Sequence, residues 1–273
     1  MTKDLQAWVL LAMTGAVVAG LTLWRMGLMP HAQAPLVFTP APSLQAEPPA
    51  PSSEPRVEYP LDPVAPAGPL TGQALRRALA DLLGGDGALS FLQLDEFPRR
   101  LVATVDNLAR PHAPTQVWPV DPTPDRFTVE DVGDAPVIAP DNAHRYTPFV
   151  LVAEAVDARR AVDLYLRLYP SLQRAYEQLG FPDRYFNDRV MAVIDVLLST
   201  PETEVPLKLR LTEVKGPIAS LRPWVRYEYA DPALESLTSG QKILLRVGPV
   251  NERRLKEKLA QIRTELARRV ARR

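Results

Sequence analysis

A proline-rich stretch limits how this chain can fold more than any other feature. Residues 30–69 hold 12 prolines and a single glycine, and four acidic side chains against Arg56 give a net charge of −3. Proline removes backbone N–H donors, and the stretch offers little apolar surface to bury, so we expect a disordered segment with polyproline II character. The favoured interpretation is a spacer, about 120 Å long if fully extended. A ligand for a proline-recognising module is the alternative.

An uncharged apolar run precedes this stretch. Leu5 to Trp24 spans 20 residues without a charge, and a helix of that length is about 30 Å long, as thick as a bilayer core. Tryptophans near both ends suit the membrane interface. A cleaved signal peptide is the alternative, because Ala32–Ala34 has the A-x-A form. The run is longer than a typical signal core, however, and Arg25 separates it from that site, which favours an uncleaved anchor.

These features predict three regions. They are a transmembrane anchor (residues 1–29), a disordered proline-rich linker (30–69) and one folded domain (70–273). Lys3 and the α-amino group lie on one side of the anchor, and Arg25 lies on the other. The slight basic excess on the N-terminal side predicts a single-pass protein of the inner membrane with its folded domain in the periplasm.

The overall charge and the lack of cysteine exclude several classes of function. Lys plus Arg and Asp plus Glu both number 32, so the formal net charge is zero. That balance argues against a general nucleic-acid binder. A chain without cysteine forms no disulfide, iron–sulfur cluster or Cys-type zinc site and performs no thiol catalysis.

Apolar periodicity from residue 70 onward predicts a mainly helical α+β domain. We expect helices over residues 71–83, 95–110, most of 146–200, 232–237, 241–247 and from Asn251, as N-cap, to the C terminus. Pro170 should kink its helix without ending it, because the apolar stripe stays in register on both sides. Alternating residues in 205–215 and 224–229 predict a two-stranded antiparallel ribbon.

A second proline-rich segment lies within the folded part. Seven prolines fall between residues 111 and 142, together with Trp118 and Phe127. Because aromatic side chains favour burial, we expect an ordered wrap over the core rather than a free loop. Residues 117–120 and 127–129 are candidates for short strands.

Three stretches of the folded part resemble an uncharacterised bacterial family, the domain of unknown function numbered 3014. They are FLQLDEFPRRLVATVDNLAR (91–110), LYPSLQRAYEQLGFPDRYFNDRVMAVIDVLL (168–198) and YEYADPALESLTSGQKILLRVGPVN (227–251). The resemblance covers about three quarters of the chain. Family members also look like this chain at the N terminus, with one hydrophobic anchor and a proline-rich linker. The resemblance implies no activity and no catalytic residues.

The sequence contains no strong motif for catalysis, metal binding or cofactor binding, and we predict none of these sites. Its three histidines are not spaced with one another, or with a carboxylate, as metal ligands on a helix would be. Nucleophile-elbow and phosphate-loop motifs are absent. Asp188 and Asp195, two turns apart on one helical face, leave one enzymatic option. Paired carboxylates of this kind act on glycan or cell-wall substrates.

Residues 180–197, GFPDRYFNDRVMAVIDVL, concentrate charged side chains in an otherwise apolar helix. A helical projection places Arg184, Asp188 and Asp195 opposite the apolar face, with Arg189 at its border. The spacing of Arg184 and Asp188 predicts a surface ion pair.

Asp195 differs from its neighbours because residues 193–198 are apolar around it. We therefore predict that Asp195 is at least partly buried and paired with Arg222 or Arg246. The possible polar site of the domain then comprises five residues: Asp188, Arg189, Asp195, Arg222 and Arg246.

The C-terminal helix is strongly basic. From Asn251 to Arg273 it has nine basic residues against three glutamates, with an apolar stripe at positions 255, 259, 262, 266 and 270. We expect the stripe to pack on the domain. The basic face then either meets solvent alone or contacts anionic lipid headgroups or an acidic partner. Nucleic acid is not expected as a partner, because no aromatic residue interleaves the charges.

Taken together, these patterns favour a non-enzymatic envelope protein that binds or scaffolds another envelope protein or a cell-wall component. A glycan-acting or cell-wall-acting enzyme with Asp/Glu chemistry is one alternative. A membrane-tethered adaptor that faces the cytoplasm is the other.

Overall fold

The computed structural model describes residues 57–61, 70–203, 206–212 and 223–270. The predicted anchor, Leu5 to Trp24, and most of the predicted linker lie outside these residues. Among the helices in the described ranges, none has the length and apolarity that a membrane span requires.

Eight α-helices and two small antiparallel sheets make up the described part of the chain. The helices are α1 (Gly72–Leu83), α2 (Phe97–Leu108), α3 (Thr147–Ala155), α4 (Ala158–Gln178), α5 (Phe186–Leu198), α6 (Pro232–Glu235), α7 (Ser239–Arg246) and α8 (Pro249–Arg268). The strands are β1 (Val129–Val132), β2 (Ala135–Ile138), β3 (Leu209–Leu211) and β4 (Tyr227–Tyr229). The prediction of a mainly α domain with a small β-ribbon is therefore confirmed.

Local sequence signals explain where most helices begin and end. Gly84 adopts a left-handed conformation with φ of 87° at the end of α1, and its N–H donates to the carbonyl of Ala80. The carboxylate of Asp157 accepts a hydrogen bond from the backbone N–H of Arg160 at the start of α4. As predicted, α4 continues past Pro170 as one helix of 21 residues.

The start of α8 differs from the prediction that Asn251 caps it. The helix begins at Pro249, because the left-handed Gly248 (φ 87°) turns the chain and proline already has a helical φ. Asn251 therefore lies in the first turn and is buried, where its amide donates to the carbonyls of Ala143 and Val247, each at 3.0 Å.

The long helix α4 organises the core, because it is buried on two sides. One side carries Leu164, Leu168 and Leu172 and packs with residues of α1 and α2. The other side carries Val162 and Leu166, which meet Met191 and Ile194 of α5 and Leu266 of α8. The apolar stripe predicted for the C-terminal helix does pack on the domain, with Leu266 fully buried and Leu259 and Ile262 half-buried.

The proline-rich segment between residues 111 and 142 follows the surface as an ordered wrap. Two backbone hydrogen bonds fix it to the chain before α2: Gln93 donates to Pro119, and Asp121 donates to Phe91, each at 2.9 Å. Val120 forms only a single bridge with Leu92. The strand expected over 117–120 is therefore absent, because the prolines that flank Val120 cannot donate to a ladder.

The second expected strand is displaced, and it belongs to a hairpin. β1 and β2 pair antiparallel with Val129 opposite Ile138. The predicted ribbon forms from β3 and β4, with Leu209 opposite Tyr229. A bridge between Val137 and Lys208 joins the two small sheets.

Candidate functional site

Asp195 is not the buried residue that the sequence predicts. Its side chain is 47% exposed and forms an ion pair with Arg263 of α8, with Nη2 donating to Oδ2 at 3.1 Å. Successive helical residues are turned by about 100°, so Ile194 and Leu197 face the core while Asp195 faces the solvent side of the α5–α8 contact. The predicted pairing with Arg246 is wrong, and Arg222 lies outside the described residues.

Arg189 belongs to a buried ionic cluster that the sequence did not reveal. Its Nε donates to Oδ1 of Asp106 at 2.9 Å, and its Nη2 donates to the Asp106 carbonyl at 2.7 Å. Arg110 approaches the other carboxylate oxygen at 2.6 Å. The Asp106 side chain is only 5% exposed, so this cluster joins α2 to α5 inside the domain.

Asp188 binds backbone instead of the predicted surface arginine. Its two carboxylate oxygens accept hydrogen bonds from the N–H groups of Glu58 and Tyr59. Among the described members of the predicted polar site, Asp188, Arg189 and Asp195 therefore have separate partners. Arg246 has a fourth environment, a pocket on another part of the domain.

This pocket is the strongest candidate for a functional site. It has a volume of about 450 Å³, which is within the range of ligand-binding cavities. Six aromatic side chains line it, and they come from the wrap, α3, β4 and the turn before β4. They are Trp118, Phe127, Tyr146, Phe149, Trp224 and Tyr227.

Three arginines complete the lining, and we call the site the aromatic–arginine pocket. The guanidinium of Arg126 lies over the ring of Trp224 at 4.0 Å from its centroid. The guanidinium of Arg246 lies 5.8 Å from the centroid of Phe127. Both distances are those of cation–π contacts, which hold each charge beside a ring face.

Arg145 has a different role, because its N–H groups donate hydrogen bonds to the neighbouring loop. Its Nε donates to the Pro124 carbonyl, and its Nη2 donates to the Asp125 carbonyl and the Thr123 hydroxyl, all at 3.0 to 3.2 Å. Asp125 itself has a positive φ of 63°. Arg145 thus fixes the shape of the loop that forms one edge of the pocket.

Two buried donors in the pocket have no hydrogen-bond partner in the described part of the chain. They are Nε1 of Trp118 and Nε of Arg246. Another donor of the Arg246 guanidinium does have a partner, because Nη2 donates to the Tyr227 carbonyl at 2.9 Å. Leaving a buried donor unpaired costs about 1–3 kcal/mol. Both residues line the pocket, so an acceptor atom of a bound ligand has to reach into the wall to pair these two buried N–H groups.

Carboxylates are also present at the edge of the pocket. Asp121 and Asp125 line it, and the Asp121 carboxylate accepts a hydrogen bond from the Gln93 amide. Within the described ranges, no three His, Asp or Glu side chains are grouped so that they could hold a metal ion. The arrangement can bind a ligand that combines a flat apolar face with an oxygen acceptor or a negative charge.

The sequence contained a partial signal for this pocket. The sequence predicts that Trp118 and Phe127 belong to an ordered proline-rich wrap and contact the core, rather than line a pocket. Both tryptophans outside the N-terminal apolar run, Trp118 and Trp224, lie here. Tryptophan is enriched at binding surfaces, so these two tryptophans are the sequence feature from which the pocket could have been predicted. Nothing in the pattern pointed to Arg126 or Arg145.

A family model described as "Protein of unknown function (DUF3014)" matches residues 97–263. The resemblance inferred from the three sequence stretches is thereby confirmed. The matched range runs from the start of α2 into the last turns of α8 and contains all of the described residues that line the pocket. No curated protein and no solved structure matches the chain.

Proposed function

We propose that this chain, which belongs to the DUF3014 family of proteins of unknown function, is a membrane-anchored binding module. In this proposal, the aromatic–arginine pocket binds a peptide segment that carries a carboxylate beside proline rings. Aromatic-lined grooves bind proline-rich segments because the rings pack on preformed polyproline II helices. Arginine donors complement a carboxylate in the same ligand.

The pair of unpartnered donors carries the proposal. Trp118 Nε1 and Arg246 Nε are buried in the pocket wall, where an apolar ligand alone would leave them unpaired. A backbone carbonyl suits the first donor, and a carboxylate suits the second. The ring of Trp224 beside Arg126 provides a flat apolar surface at the same pocket.

Fluorescence of the pocket tryptophans tests this proposal in the full chain. With Trp8→Phe and Trp24→Phe, the only remaining tryptophans are Trp118 and Trp224. Addition of a Glu-Pro-Pro repeat peptide should change their emission with saturation, and a Gln-Pro-Pro peptide should bind about tenfold more weakly. Equal affinity for both peptides, or no saturable change, would contradict the proposal.

Further variants separate the pocket from nonspecific effects. Trp118→Phe keeps most of the apolar wall and removes the Nε1 donor, so the Glu-Pro-Pro peptide should bind about 2–10-fold more weakly. Arg210→Ala is the matched control, because Arg210 pairs with Glu228 on an exposed strand and should leave binding unchanged. If an anionic oligosaccharide saturates the fluorescence change and the peptide does not, the ligand class is a glycan instead.

The linker of the chain has the same chemistry as the proposed ligand. Glu47 and Glu54 each precede a proline within the segment from residue 30 to 56. Tighter binding of the added peptide after both residues are changed to Gln would identify the chain's own linker as a competitor for the pocket.

The cellular setting of the proposed module rests on the N-terminal sequence. An uncharged run of 20 residues, Leu5 to Trp24, followed by a proline-rich spacer supports a single inner-membrane anchor with the domain in the periplasm. A reporter active only in the periplasm, fused after Arg273, should therefore be active. A silent periplasmic reporter with an active cytoplasmic one would favour the adaptor that faces the cytoplasm.

The alternative of a carboxylate-based glycan enzyme finds less support. It rested on Asp188 and Asp195, and these residues bind backbone N–H groups and Arg263, respectively. Binding of anionic lipid by the basic C-terminal helix stays a prediction. Several of its charges contact the chain itself, as in the ion pairs of Arg254 with Glu154 and of Arg269 with Asp163.

A further inference from the structure

A short piece of the proline-rich stretch is held against the folded domain. We call residues 57–61, with the sequence VEYPL, the strap. The Asp188 carboxylate accepts hydrogen bonds from the N–H groups of Glu58 at 3.1 Å and of Tyr59 at 2.8 Å. Among the described residues, the groups that bind Asp188 are main-chain N–H groups, so the contact depends on the backbone of the strap, which bends at Glu58 and Tyr59, more than on a particular side chain.

Asn187 and Tyr185, one and three positions before Asp188, also bind the main chain of the strap. The Asn187 amide donates to the Tyr59 carbonyl at 2.9 Å. The Tyr185 hydroxyl accepts a hydrogen bond from the Leu61 N–H at 3.0 Å. Three residues at the start of α5, Tyr185, Asn187 and Asp188, therefore bind main-chain groups of three strap residues, Glu58, Tyr59 and Leu61.

Apolar side chains of the strap complete the contact. Tyr59 and Leu61 pack against the core cluster that contains Met191, Ile194 and Leu266. Leu61 also forms an antiparallel bridge with Val270, directly after α8. The strap thus lies between the start of α5 and the end of α8, with its aromatic and aliphatic side chains directed to the core.

The recognition groups are held in place by the domain itself. Asn187 is fully buried, and its Oδ1 accepts a hydrogen bond from the Tyr165 hydroxyl at 3.1 Å. Gln173 of α4 accepts hydrogen bonds from the Tyr169 hydroxyl and the Phe186 N–H, which fixes the first turn of α5 against α4. Groups held in this way by a second layer of contacts favour binding without a large ordering cost.

From these contacts, we infer that the start of α5 and the end of α8 form a binding site for a short peptide with an aromatic–proline–aliphatic pattern. Residues 57–61 are its occupant in the intact chain. The strap then attaches the N-terminal part of the chain to the domain at a second, non-covalent point, separate from the covalent path through residues 62–69. This site is distinct from the aromatic–arginine pocket and goes beyond the proposed function.

Cleavage of that covalent path tests the inference in the full chain. A protease recognition sequence replaces residues 63–68, the chain carries an affinity tag at its N terminus, and the purified protein is cleaved while it is bound to the affinity resin. The C-terminal part should stay on the resin after cleavage, and an excess of a free peptide with the sequence VEYPL should release it. Immediate release of the C-terminal part without added peptide would overturn the inference.

Variants on both sides of the contact identify the groups responsible. Asp188→Ala should reduce the retained fraction at least about tenfold, because two main-chain hydrogen bonds to an ionised group are lost. Asp183→Ala, an exposed change just before α5, is the matched control and should retain the C-terminal part.

A change in the strap itself avoids damage to the folded domain. Tyr59→Ser with Leu61→Ser removes the apolar contacts and leaves α5 and α8 unaltered. The cleaved variant should release its C-terminal part while the near-UV circular dichroism of that part stays native. Retention of the C-terminal part by this double variant would place the attachment elsewhere and overturn the inference.

Discussion

Glu252 is a buried carboxylate in the first turn of α8. Its side chain is 2% exposed, and its Oε1 has no hydrogen-bond partner within the described residues, with Lys256 Nζ at 3.8 Å. Burial raises the pKa of Glu252; the positive charge of Lys256 opposes this, and the negative charge of Glu202 adds to it. The ionised form is therefore less favourable in the folded chain than in the unfolded chain.

This pKa shift gives a pH-dependent stability prediction. A carboxyl group whose pKa is higher in the folded state favours folding most when protonated, so its contribution is lost as pH rises above about 4.3, the ordinary value for glutamate. Glu252→Gln should raise the free energy of unfolding by about 1 kcal/mol at pH 7. The gain should vanish below pH of about 4, where the wild-type residue is protonated in both states.

Urea unfolding of both proteins across this pH range measures the effect. Glu257→Gln is the matched control, because Glu257 is exposed on the same helix and should change stability little at any pH. A Glu252→Gln variant that is less stable than wild type at pH 7 would contradict the account of a buried carboxylate whose ionised form is unfavourable in the folded chain.

The ion pairs of Asp106 and Asp195 differ in burial, and therefore in their expected contributions to stability. Asp106 is 5% exposed and paired with Arg189 and Arg110, whereas Asp195 is 47% exposed and paired with Arg263. Removing a partner from a buried ion cluster leaves uncompensated buried charge and costs about 3–5 kcal/mol. An exposed pair contributes about 0–1 kcal/mol.

We therefore expect Asp106→Ala to lower the free energy of unfolding several times more than Asp195→Ala. Denaturant unfolding of the two variants measures the difference, and equal losses would show that the two environments are energetically alike. The sequence pointed to Asp195, because its apolar neighbours are visible in the pattern. One partner of Asp106, Arg110, lies just after its own helix. The other, Arg189 of α5, is a long-range tertiary contact that periodicity does not encode.

At the scale of elements, a glycine sets how closely three helices approach. Gly240 lies in α7, and a Cβ atom at this position would lie 2.8 Å from the Leu108 carbonyl oxygen and 2.5 Å from a methyl group of Leu197. The neighbouring Ser239 N–H donates to the Arg110 carbonyl at 2.7 Å. The start of α7 is thus in backbone contact with the end of α2.

Gly240→Ala should destabilise the domain even though alanine is the better helix former. The intrinsic helix gain is about 1 kcal/mol, but forcing the helices apart costs about 1–3 kcal/mol and disturbs the Ser239 hydrogen bond as well. Thermal unfolding measures the net loss. Gly87→Ala is the matched control, since a Cβ at Gly87 has no neighbour within 4 Å; a larger loss there would contradict the packing argument.

Helices could be predicted from the sequence where local features, such as an apolar stripe along one face or a glycine at the end, define them. The stripe of α4 across Pro170 and the glycine at the end of α1 are local features, and both agree with the structure. The strap is not predictable in this way. Its proline-rich composition indicates disorder, whereas its order comes from main-chain hydrogen bonds to Asp188 and Asn187, more than 120 residues away.

At the scale of the whole molecule, the pocket could not be predicted because its parts are far apart in sequence. Its lining extends from Trp118 to Leu255. No contributing segment has a sequence pattern typical of a binding site. The segments are a proline-rich wrap, the start of a helix, a short strand and one face of α7. Only the packing of these segments brings the rings and guanidinium groups together.

The helix α8 separates the two sites of the molecule. Leu255, near its start, lines the aromatic–arginine pocket, and Leu266, near its end, belongs to the cluster that packs against the strap. Eleven residues at about 1.5 Å per residue place these positions about 16 Å apart along the helix axis. The sites share no residue, so the pocket stands away from the point at which the N-terminal part of the chain meets the domain.

This separation predicts that the two binding events are independent. Tyr59→Ser with Leu61→Ser frees the strap, yet the affinity of the pocket for the Glu-Pro-Pro peptide should change less than about twofold, because effects at distant sites add. The fluorescence titration of the full chain measures that affinity, with Trp118→Phe as the variant that does weaken it. A tenfold change on freeing the strap would instead require a coupling free energy of about 1.4 kcal/mol between the sites, carried along α8.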